Sequence, residues 1–259
     1  MPRIALPVSV LMPVCNEIDI IRDVVDEWHK EVFRYLPSGS ELLFDDCSTD
    51  GTHEVLLTLA NTRHPYLKVE WSPRDGFFNS AMRLYKRARC PLVFFTDSDG
   101  QYPPAEFWNV AAHIESFDMV HGAKVGRHDP PHRLAASAVF NWLSRQLFGA
   151  GGADINSAFR LIHRHVLDGI LDQIRLMPTL LNAELYLRAD SAGFRIKNVP
   201  VQHRPRQFGI SRGLPLRRFI RECYGAYRGL FRLRRELAQS PPVKPIAFPI
   251  VAPVERRAA

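Results

Sequence analysis

Short apolar runs alternate along the chain with stretches in which apolar residues recur at helical spacing. The pattern predicts six strands, at residues 8–14, 41–46, 67–71, 92–96, 118–123 and 194–199, of which 8–14 is a short apolar run. Apolar residues three and four positions apart between the first five runs indicate helices. Strand–helix alternation with strands that are apolar on both faces is typical of a parallel sheet covered by helices. The predicted fold class is therefore α/β, with a mainly parallel central sheet and helices on both faces.

The polar turns that follow two of these strands are acidic. Asp45 and Asp46 end the second strand, and Asp97 and Asp99 follow the fourth. Right-handed crossovers place the carboxyl ends of parallel strands at one edge of the sheet, where ligands of such sheets bind. We therefore expect both acidic turns at the binding edge.

The pattern changes after residue 124. A polar loop and a helix over 134–148 lead to a glycine-containing break, and an amphipathic pattern covers 215–235. The last 22 residues hold five prolines and show no periodicity, which indicates a flexible tail. The predicted domains are residues 1–213 as the catalytic unit, 214–237 as a basic amphipathic helix and 238–259 as the tail. No apolar run is long enough to predict a transmembrane helix.

The positive charge of the chain is concentrated in one segment. The 259 residues carry a net charge of +7, and residues 204–235 hold ten arginines and a single acid, Glu222, or +9. A basic stripe of this kind indicates an anionic partner. The 215–235 helix has two interpretations, which are compatible: it packs on its own domain, or it lies at a membrane interface with arginines toward anionic lipid.

The four cysteines are far apart and form no CxxC pair, which indicates neither a zinc knuckle nor a disulfide framework. A reducing compartment fits this usage. Together with the basic helix, it predicts a cytoplasmic location, peripheral at the cytoplasmic face of the membrane.

Two carboxylates in an Asp-x-Asp turn can converge on one divalent cation. Asp97 and Asp99 offer the hard oxygens that Mg²⁺ or Mn²⁺ prefers, and Gln101 adds a neutral oxygen. Such a cation would offset the charge of a diphosphate leaving group. Adjacent strand residues point to opposite faces, so one of Asp45 and Asp46 faces a ligand. We favour Asp46, with a hydrogen bond to a base or ribose.

Taken together, five spaced motifs resemble family 2 inverting glycosyltransferases, and most closely the dolichyl- or polyprenyl-phosphate sugar synthase branch. They are Pro13-x-x-Asn16-Glu17, Asp45-Asp46-x-Ser48-Thr49-Asp50-Gly51-Thr52, Asp97-Ser98-Asp99-Gly100-Gln101, Asp154-x-x-Ser157-x-Phe159-Arg160 and Arg206-x-x-Gly209-x-Ser211-Arg212. The resemblance covers about residues 8–235. It implies a GT-A fold that binds a nucleotide-diphospho-sugar. Many members carry an aromatic residue where Cys15 stands here.

The resemblance also implies roles for individual residues. Those expected to line the nucleotide pocket are Pro13, Asn16, Glu17 and Asp46. Asp97 would contact the nucleotide or the metal, and Asp99 with Gln101 would hold the metal. A loop carrying Arg206, Ser211 and Arg212 would close over the donor diphosphate.

The acceptor decides which further groups the reaction needs. A hydroxyl acceptor needs a general base, whereas a phosphate monoester is already anionic near pH 7 and needs cations to hold it. Asp154 is the candidate base or orienting group, and His203 could reach the metal or diphosphate. The candidates for gripping an acceptor phosphate are Arg127, Arg133 and Arg160.

These observations predict an enzyme that transfers a sugar from a UDP- or GDP-sugar to a polyprenyl phosphate at the membrane surface. A separate membrane protein is a possible anchor. One alternative is a family 2 enzyme that acts on a glycan or another hydroxyl compound. A distant alternative is a non-catalytic protein whose basic helix binds nucleic acid; we expect no nucleic-acid partner, because no such motif is present and the acidic edge repels phosphates.

Overall fold

Seven strands and eight helices make up the part of the chain that the structure describes. The computed structural model describes residues 4–126, 130–149, 154–205 and 216–239, apart from the side chains of residues 216 and 218. The strands are β1 Val8–Val14, β2 Glu41–Asp46, β3 Leu67–Trp71, β4 Leu92–Phe95, β5 Met119–Val125, β6 Arg160–His163 and β7 Ile196–Gln202. The helices are α1 Ile21–Glu31, α2 Thr52–Thr62, α3 Phe77–Arg87, α4 Glu106–Ala111, α5 Pro131–Phe148, α6 Arg164–Ile170, α7 Leu181–Ser191 and α8 Leu216–Gln239.

The strands form one mixed sheet in the order β3-β2-β1-β4-β6-β5-β7. β6 runs antiparallel to both of its neighbours, and the other pairings are parallel. Val14 lies opposite Asp46, so β1 and β2 end side by side, and Leu11 lies opposite Phe95, so the parallel strand β4 ends at the same edge three residues earlier. The predicted α/β class with a mainly parallel sheet is confirmed.

Helices cover the sheet on both faces, as predicted. Trp28 of α1 contacts the ring of Phe94 at 5.7 Å, and Tyr85 of α3 stacks on Phe95 at 5.2 Å. Because adjacent strand residues point to opposite faces, α1 and α3 lie on opposite sides of β4. All four aromatic side chains are buried, which explains the continuous apolar pattern of the central strands.

The strand β6 was not predicted. It has only four residues and opens on Arg160, so the local pattern carries no strand signal. Phe95 of β4 and His121 of β5 both pair with Arg160 in the sheet. The strand therefore forms because it fills the gap between β4 and β5, which sequence periodicity cannot show.

The helix α8 packs on the rest of the chain along one face. Ala226, Leu230 and Leu233 are buried, and Glu236 pairs with Arg188 of α7 at 3.0 Å. Another part of α8 leaves large apolar side chains exposed, among them Tyr224. The docked interpretation is thus shown, and the domain boundaries at 213 and 237 stay predictions. Within the described ranges, no helix combines the length and apolar character needed to cross a bilayer.

Candidate functional site

The loops after β1, β2 and β4 surround a cavity of about 340 Å³, here called the acidic cavity. From these loops its wall includes Pro13, Cys15, Glu17, Cys47, Asp97 and Asp99. The loop between β3 and α3 adds Arg74, Asp75, Gly76 and Phe77. Four of the predicted site residues, Pro13, Glu17, Asp97 and Asp99, are therefore brought together at the binding edge.

Asn16 ties the first two loops together. Its backbone adopts a φ of 58°, a left-handed conformation that asparagine tolerates better than most residues. Its N–H donates to Ser48 Oγ at 2.7 Å, and its Oδ1 accepts the N–H of Thr49 at 2.8 Å. The N–H of Glu17 donates to Thr52 Oγ1 at 3.1 Å. Asn16 lies beside the cavity wall and fixes the position of Glu17.

Asp46 lies behind the wall rather than in it. Its carboxylate accepts the Ser48 N–H at 2.9 Å and contacts His53 Nδ1 at 2.9 Å, and the residue has no exposed surface. Its neighbour Asp45 points to a different partner, Arg83. The geometry thus corrects the expectation that Asp46 faces a base or ribose directly. Cys47, the next residue, reaches the wall instead.

The acidic turn after β4 holds its two carboxylates in the cavity wall. Ser98 Oγ donates to the Pro13 carbonyl at 2.9 Å, which fastens the turn to β1. The N–H of Gln101 donates to Asp99 Oδ1 at 3.1 Å. Asp97 and Asp99 therefore stand together on a turn that is anchored at both ends.

Gln101 joins the acidic turn to the chain that leaves β7. The N–H of Arg204 donates to the Gln101 carbonyl at 2.7 Å, and Gln101 Nε2 donates to the Arg204 carbonyl at 3.1 Å. This pairing brings His203 beside the turn, where its ring meets Tyr102 edge-on at 4.9 Å. Gln101 itself does not line the acidic cavity, so its predicted role as a metal ligand has no support in this geometry.

The donor atoms of Asp97 and Asp99 fit a magnesium or manganese ion. The described residues contain no group of three or more His, Cys, Asp or Glu side chains that could hold a metal. Mg²⁺ usually takes one or two carboxylates and completes its shell with water and substrate phosphates. The donor set therefore suits a cation that arrives with a diphosphate, rather than a closed structural site.

Arg83 of α3 fixes the far wall of the acidic cavity and was missed by the sequence analysis. It contacts Asp75 at 2.7 and 3.0 Å and Asp45 at two distances of 3.0 Å. The hydrogen bonds from Arg83 lower the pKa of Asp75, and the two carboxylates raise the pKa of Arg83. A single arginine in a helical pattern gives no local signal of the carboxylates that it meets.

A second cavity of about 600 Å³, here called the apolar cavity, opens beside the first. Its apolar wall comes from α3, α5, α8 and the turn at Pro178–Leu180, and includes Phe77, Phe140, Leu180, Phe219 and Tyr227. Asp75, Gly76 and Phe77 line both cavities. The two cavities therefore share one wall.

The wall of the apolar cavity also contains charged residues, both basic and acidic. Lys124 Nζ lies 3.9 Å from Asp154 Oδ2 and 5.9 Å from the ring centroid of Tyr102. Arg133 of α5 also lines the cavity, as does the acidic Glu222 of α8. Lys124 thus stands between Asp154 and the residue that follows the acidic turn. Sequence analysis placed Lys124 in a polar loop and assigned it no role.

Asp154 is positioned by β5. His121 Nε2 donates to the Asp154 carbonyl at 2.6 Å. Burial lowers the pKa of His121 to about 3, so the imidazole is neutral at pH 7 and carries its proton on Nε2. Asp154 is only 4% exposed, yet it lines the apolar cavity beside Lys124.

Arg160 differs from the prediction. Its guanidinium has no exposed surface, donates to the Asn182 carbonyl at 2.8 Å and also donates to the Ser157 carbonyl. A phosphate of an acceptor cannot reach it, because β6 lies inside the sheet. Arg160 instead ties the segment that follows Asp154 to α7.

The remaining predicted site residues fall outside the described part of the chain. They are Arg127, Arg206, Ser211 and Arg212. Arg204, two residues before Arg206, is bonded to the acidic turn through Gln101.

Comparison with known protein families decides the family. The family model described as "Glycosyl transferase family 2" matches residues 9–170, which is more than half of the chain. The chain belongs to glycosyl transferase family 2. This confirms the resemblance read from the motifs and the predicted transferase class.

The family 2 chain is similar to a curated relative from Klebsiella pneumoniae subsp. pneumoniae, undecaprenyl-phosphate 4-deoxy-4-formamido-L-arabinose transferase. The two are 27% identical over 210 residues. The match covers 79% of this chain and 62% of the relative. The chain thus spans less than two thirds of the length of that protein.

Solved structures with the same fold are glycosyltransferases of the GT-A class. Mannosyl-3-phosphoglycerate synthase from Rubrobacter xylanophilus aligns with a TM-score of 0.64 and 18% identity, over 94% of this chain and 79% of that chain. Glucosyl-3-phosphoglycerate synthase from Mycobacterium tuberculosis, with Mn²⁺ and UDP, aligns with a TM-score of 0.65 and 20% identity, over 89% of this chain and 81% of that chain. Mannosyltransferase PcManGT from Pyrobaculum calidifontis, with GDP-Man and Mn²⁺, aligns with a TM-score of 0.59 and 15% identity, over 92% of this chain and 71% of that chain. The family 2 chain therefore has the predicted GT-A fold.

Proposed function

We propose that this family 2 chain transfers a sugar from a nucleotide-diphospho-sugar to a polyprenyl phosphate at a membrane surface. The observation that carries the proposal is the wall of Asp75, Gly76 and Phe77 that the two cavities share. One cavity offers carboxylates to a nucleotide and its metal, and the other offers apolar surface and cations to a lipid phosphate. The Klebsiella relative, whose name contains undecaprenyl-phosphate, supports this acceptor class.

The acidic cavity is the proposed donor site for a UDP- or GDP-sugar. Pro13 and Glu17 contact the nucleotide, and Asp97 and Asp99 hold Mg²⁺ or Mn²⁺. The metal, when bound, offsets the charge of the diphosphate and acts as a Lewis acid. Two fold neighbours form complexes with Mn²⁺, together with UDP in one and GDP-Man in the other, which supports these ligand classes.

The loop that carries Arg206, Ser211 and Arg212 is proposed to close over the donor diphosphate. Support comes from Arg204, whose backbone is bonded to Gln101 in the acidic turn. Arg204, next to the last described residue before this segment, therefore lies beside the acidic turn.

Lys124 and Arg133 are the residues proposed to bind the acceptor phosphate. A phosphate monoester has a second pKa of about 6, so its oxygen is anionic at neutral pH and needs no general base. That oxygen attacks the anomeric carbon in line as the bond to the nucleoside diphosphate breaks, which inverts the configuration. Asp154, 3.9 Å from Lys124, orients the ammonium group in this mechanism.

The exposed part of α8 is proposed to contact the membrane. Ile220, Tyr224 and Phe231 are 58%, 67% and 53% exposed. A shallow groove lined by Tyr224 and Phe231 is also lined by Arg228, Arg232 and Arg235. Apolar side chains flanked by arginines are typical of helices at an anionic bilayer surface. A cytoplasmic-face location and a membrane-protein partner belong to this proposal.

A hydroxyl acceptor is the second candidate, favoured by the presence of Asp154 in the wall of the apolar cavity. The substitution Asp154→Asn separates the two. With a hydroxyl acceptor we expect transfer to fall by about 10²–10⁴-fold through loss of the base. With a phosphate acceptor we expect less than about tenfold, because only the orientation of Lys124 changes. The nucleic-acid alternative is set aside, because the chain belongs to a transferase family.

A transfer assay tests the proposal. The purified chain is incubated with sugar-labelled UDP- or GDP-sugars, Mn²⁺ or Mg²⁺, and polyprenyl phosphate in detergent micelles. We expect label in the organic phase only when both metal and lipid phosphate are present, and loss of transfer with EDTA. The matched control is the same lipid as the free alcohol, polyprenol. Equal transfer to polyprenol would contradict the proposed role of the phosphate.

A further inference from the structure

Two cysteine thiols stand next to each other in the wall of the acidic cavity. Cys15 follows β1 directly and Cys47 follows β2 directly, and the last paired residues of these strands, Val14 and Asp46, are in register. The Cys47 N–H donates to the Val14 carbonyl at 3.1 Å, which continues the pairing by one residue. Cys15 and Cys47 are therefore opposite each other on neighbouring chain segments.

The geometry suits a disulfide between them. Cys15 Sγ lies 3.6 Å from the Cys47 carbonyl oxygen, so the first thiol already reaches across to the second residue. Neighbouring strands lie about 4.8 Å apart, and disulfides join Cα atoms that are about 4.4 to 6.8 Å apart. The loops that carry the thiols are also held together by the hydrogen bonds of Asn16 with Ser48 and Thr49. The bond would therefore join two loops that are already held side by side.

Both thiols are accessible from the cavity, and both are free. The other two cysteines lie elsewhere: Cys90 is buried, and Cys223 is in the wall of the apolar cavity. Burial and the neighbouring Cys15 raise the pKa of Cys47 to about 12, so Cys47 stays protonated at neutral pH. Because the thiolate is the reactive form, a thiol of the pair must lose its proton before it attacks an oxidant.

We propose that Cys15 and Cys47 form a redox site in the wall of the acidic cavity, which a low-molecular-weight disulfide such as oxidised glutathione converts to a protein disulfide. The thiolate of one cysteine attacks one sulfur of the oxidant, forms a mixed disulfide and releases one thiolate. The other cysteine then loses its proton, attacks the sulfur of the first cysteine and releases the second thiolate. The two cysteines are oxidised, the oxidant is reduced to two thiols, and the two protons that the cysteines lose pass to those thiols.

The redox site and the nucleotide use the same cavity, a link that rests on the proposed donor function. A nucleotide in the cavity covers the two thiols that line it and keeps the oxidant away from Cys15. Conversely, binding of the donor and formation of the disulfide oppose each other. Formation of the disulfide should therefore affect binding of the donor in the acidic cavity, and not binding in the apolar cavity.

Mass spectrometry of the full chain tests the site without any donor. The reduced protein is equilibrated with oxidised glutathione, remaining thiols are alkylated, and the peptides are mapped. We expect a Cys15–Cys47 cross-link, with loss of two hydrogen atoms, while Cys90 and Cys223 remain available for alkylation after unfolding. Alkylation of Cys15 and Cys47 with no cross-linked peptide would overturn the proposal.

Variants and nucleotide sharpen the test. In Cys47→Ser and in Cys15→Ser the cross-link cannot form, so the remaining cysteine of the pair should stop at the mixed disulfide with glutathione. Cys223→Ser is the matched control and should form the cross-link at the rate of the unchanged protein. A cross-link to Cys223 in the unchanged protein would contradict the assigned pair.

The nucleotide arm separates this proposal from the proposed function. UDP or GDP with Mn²⁺, at about ten times its dissociation constant, should slow cross-linking about tenfold by occupying the cavity. A cross-link that forms normally while neither nucleotide binds would refute the donor assignment and leave the redox site standing. A nucleotide that binds without slowing the cross-link would overturn the shared-cavity link.

Discussion

The two cavities are built in different ways. The acidic cavity is made by loops at the ends of neighbouring strands, and bonds such as Asn16 N–H to Ser48 Oγ and Ser98 Oγ to the Pro13 carbonyl hold it. The apolar cavity is made by side chains of α3, α5 and α8, which are far apart in the sequence. Backbone geometry therefore fixes the donor side, whereas helix packing shapes the acceptor side. We infer that changes of acceptor specificity arise through α5 and α8, with little change at the acidic cavity.

The largest expected effect is loss of the proposed metal ligand on the donor side. Asp99→Asn should lower the rate of transfer by about 10²–10³-fold, because a charge that stabilises the leaving diphosphate is lost. The melting temperature should change little, since Asp99 lies on a turn at the cavity wall. Transfer kinetics and thermal unfolding check both parts. Asp19→Asn, an exposed carboxylate on the loop after β1 outside the cavity wall, is the matched control and should retain full activity.

The acceptor side should show a smaller and separable effect. Lys124→Ala or Arg133→Ala should lower kcat/KM for polyprenyl phosphate by about 10–100-fold, as expected for loss of a charged hydrogen bond. Nucleotide binding, measured by calorimetry, should be unchanged. Arg145→Ala on the same helix as Arg133, but outside the cavity wall, is the control. Loss of nucleotide binding in Lys124→Ala would remove the distinction between the two cavities.

A substitution that disturbs only the packing of α8 should change the apolar cavity and leave the acidic cavity intact. A Cβ on Gly229 of α8 would lie 2.6 Å from the Leu176 carbonyl oxygen, so α8 must shift. Gly229→Ala should destabilise the fold by about 1–3 kcal/mol and lower transfer while nucleotide still binds. Gly225 lies on the same helix, and a Cβ there would meet no atom within 4 Å. Gly225→Ala should therefore stabilise the fold by about 0.5–1 kcal/mol. Denaturant unfolding compares the two; equal stability would show that α8 is not closely docked at Gly229.

Membrane contact should show the smallest change. Arg232→Ser in the α8 groove should weaken binding to anionic vesicles about fivefold, because each arginine near the surface contributes about 1 kcal/mol. Co-sedimentation with vesicles measures the binding, and added salt should reduce it. Arg63→Ser, an exposed arginine just after α2, should bind like the unchanged protein. The same loss in both variants would contradict a contact made by α8.

The sheet was predicted well, because six of its strands carry a local signal in the sequence. Asp97 and Asp99 were placed at the binding edge because they follow a strand, whereas the family resemblance assigned Pro13 and Glu17 to the nucleotide pocket. The burial of Asp46 was not predicted, since alternation shows that adjacent side chains point apart but not which one meets solvent. The order of the sheet at β6 depends on long-range pairing, which periodicity does not contain.

The same limit explains the errors at the acceptor side. Arg160 was predicted to grip a phosphate on its chemistry alone, but the guanidinium is enclosed by carbonyls of Ser157 and Asn182. Lys124 was overlooked because one lysine in a loop carries no pattern. Both positions become clear only when β5, β6 and α7 are assembled. Residues in acidic turns at strand ends are thus easier to assign from sequence than cations that meet through tertiary structure.

The most direct test of the central claim is to locate the acceptor. A polyprenyl phosphate analogue with a photoreactive group on the isoprene unit nearest the phosphate is bound to the protein, illuminated and mapped by mass spectrometry. We predict labels on residues of the apolar cavity such as Phe140, Phe219 and Tyr227. Unlabelled polyprenyl phosphate should compete with the analogue, whereas UDP or GDP should not. Labels in the acidic cavity that nucleotide removes would contradict this prediction.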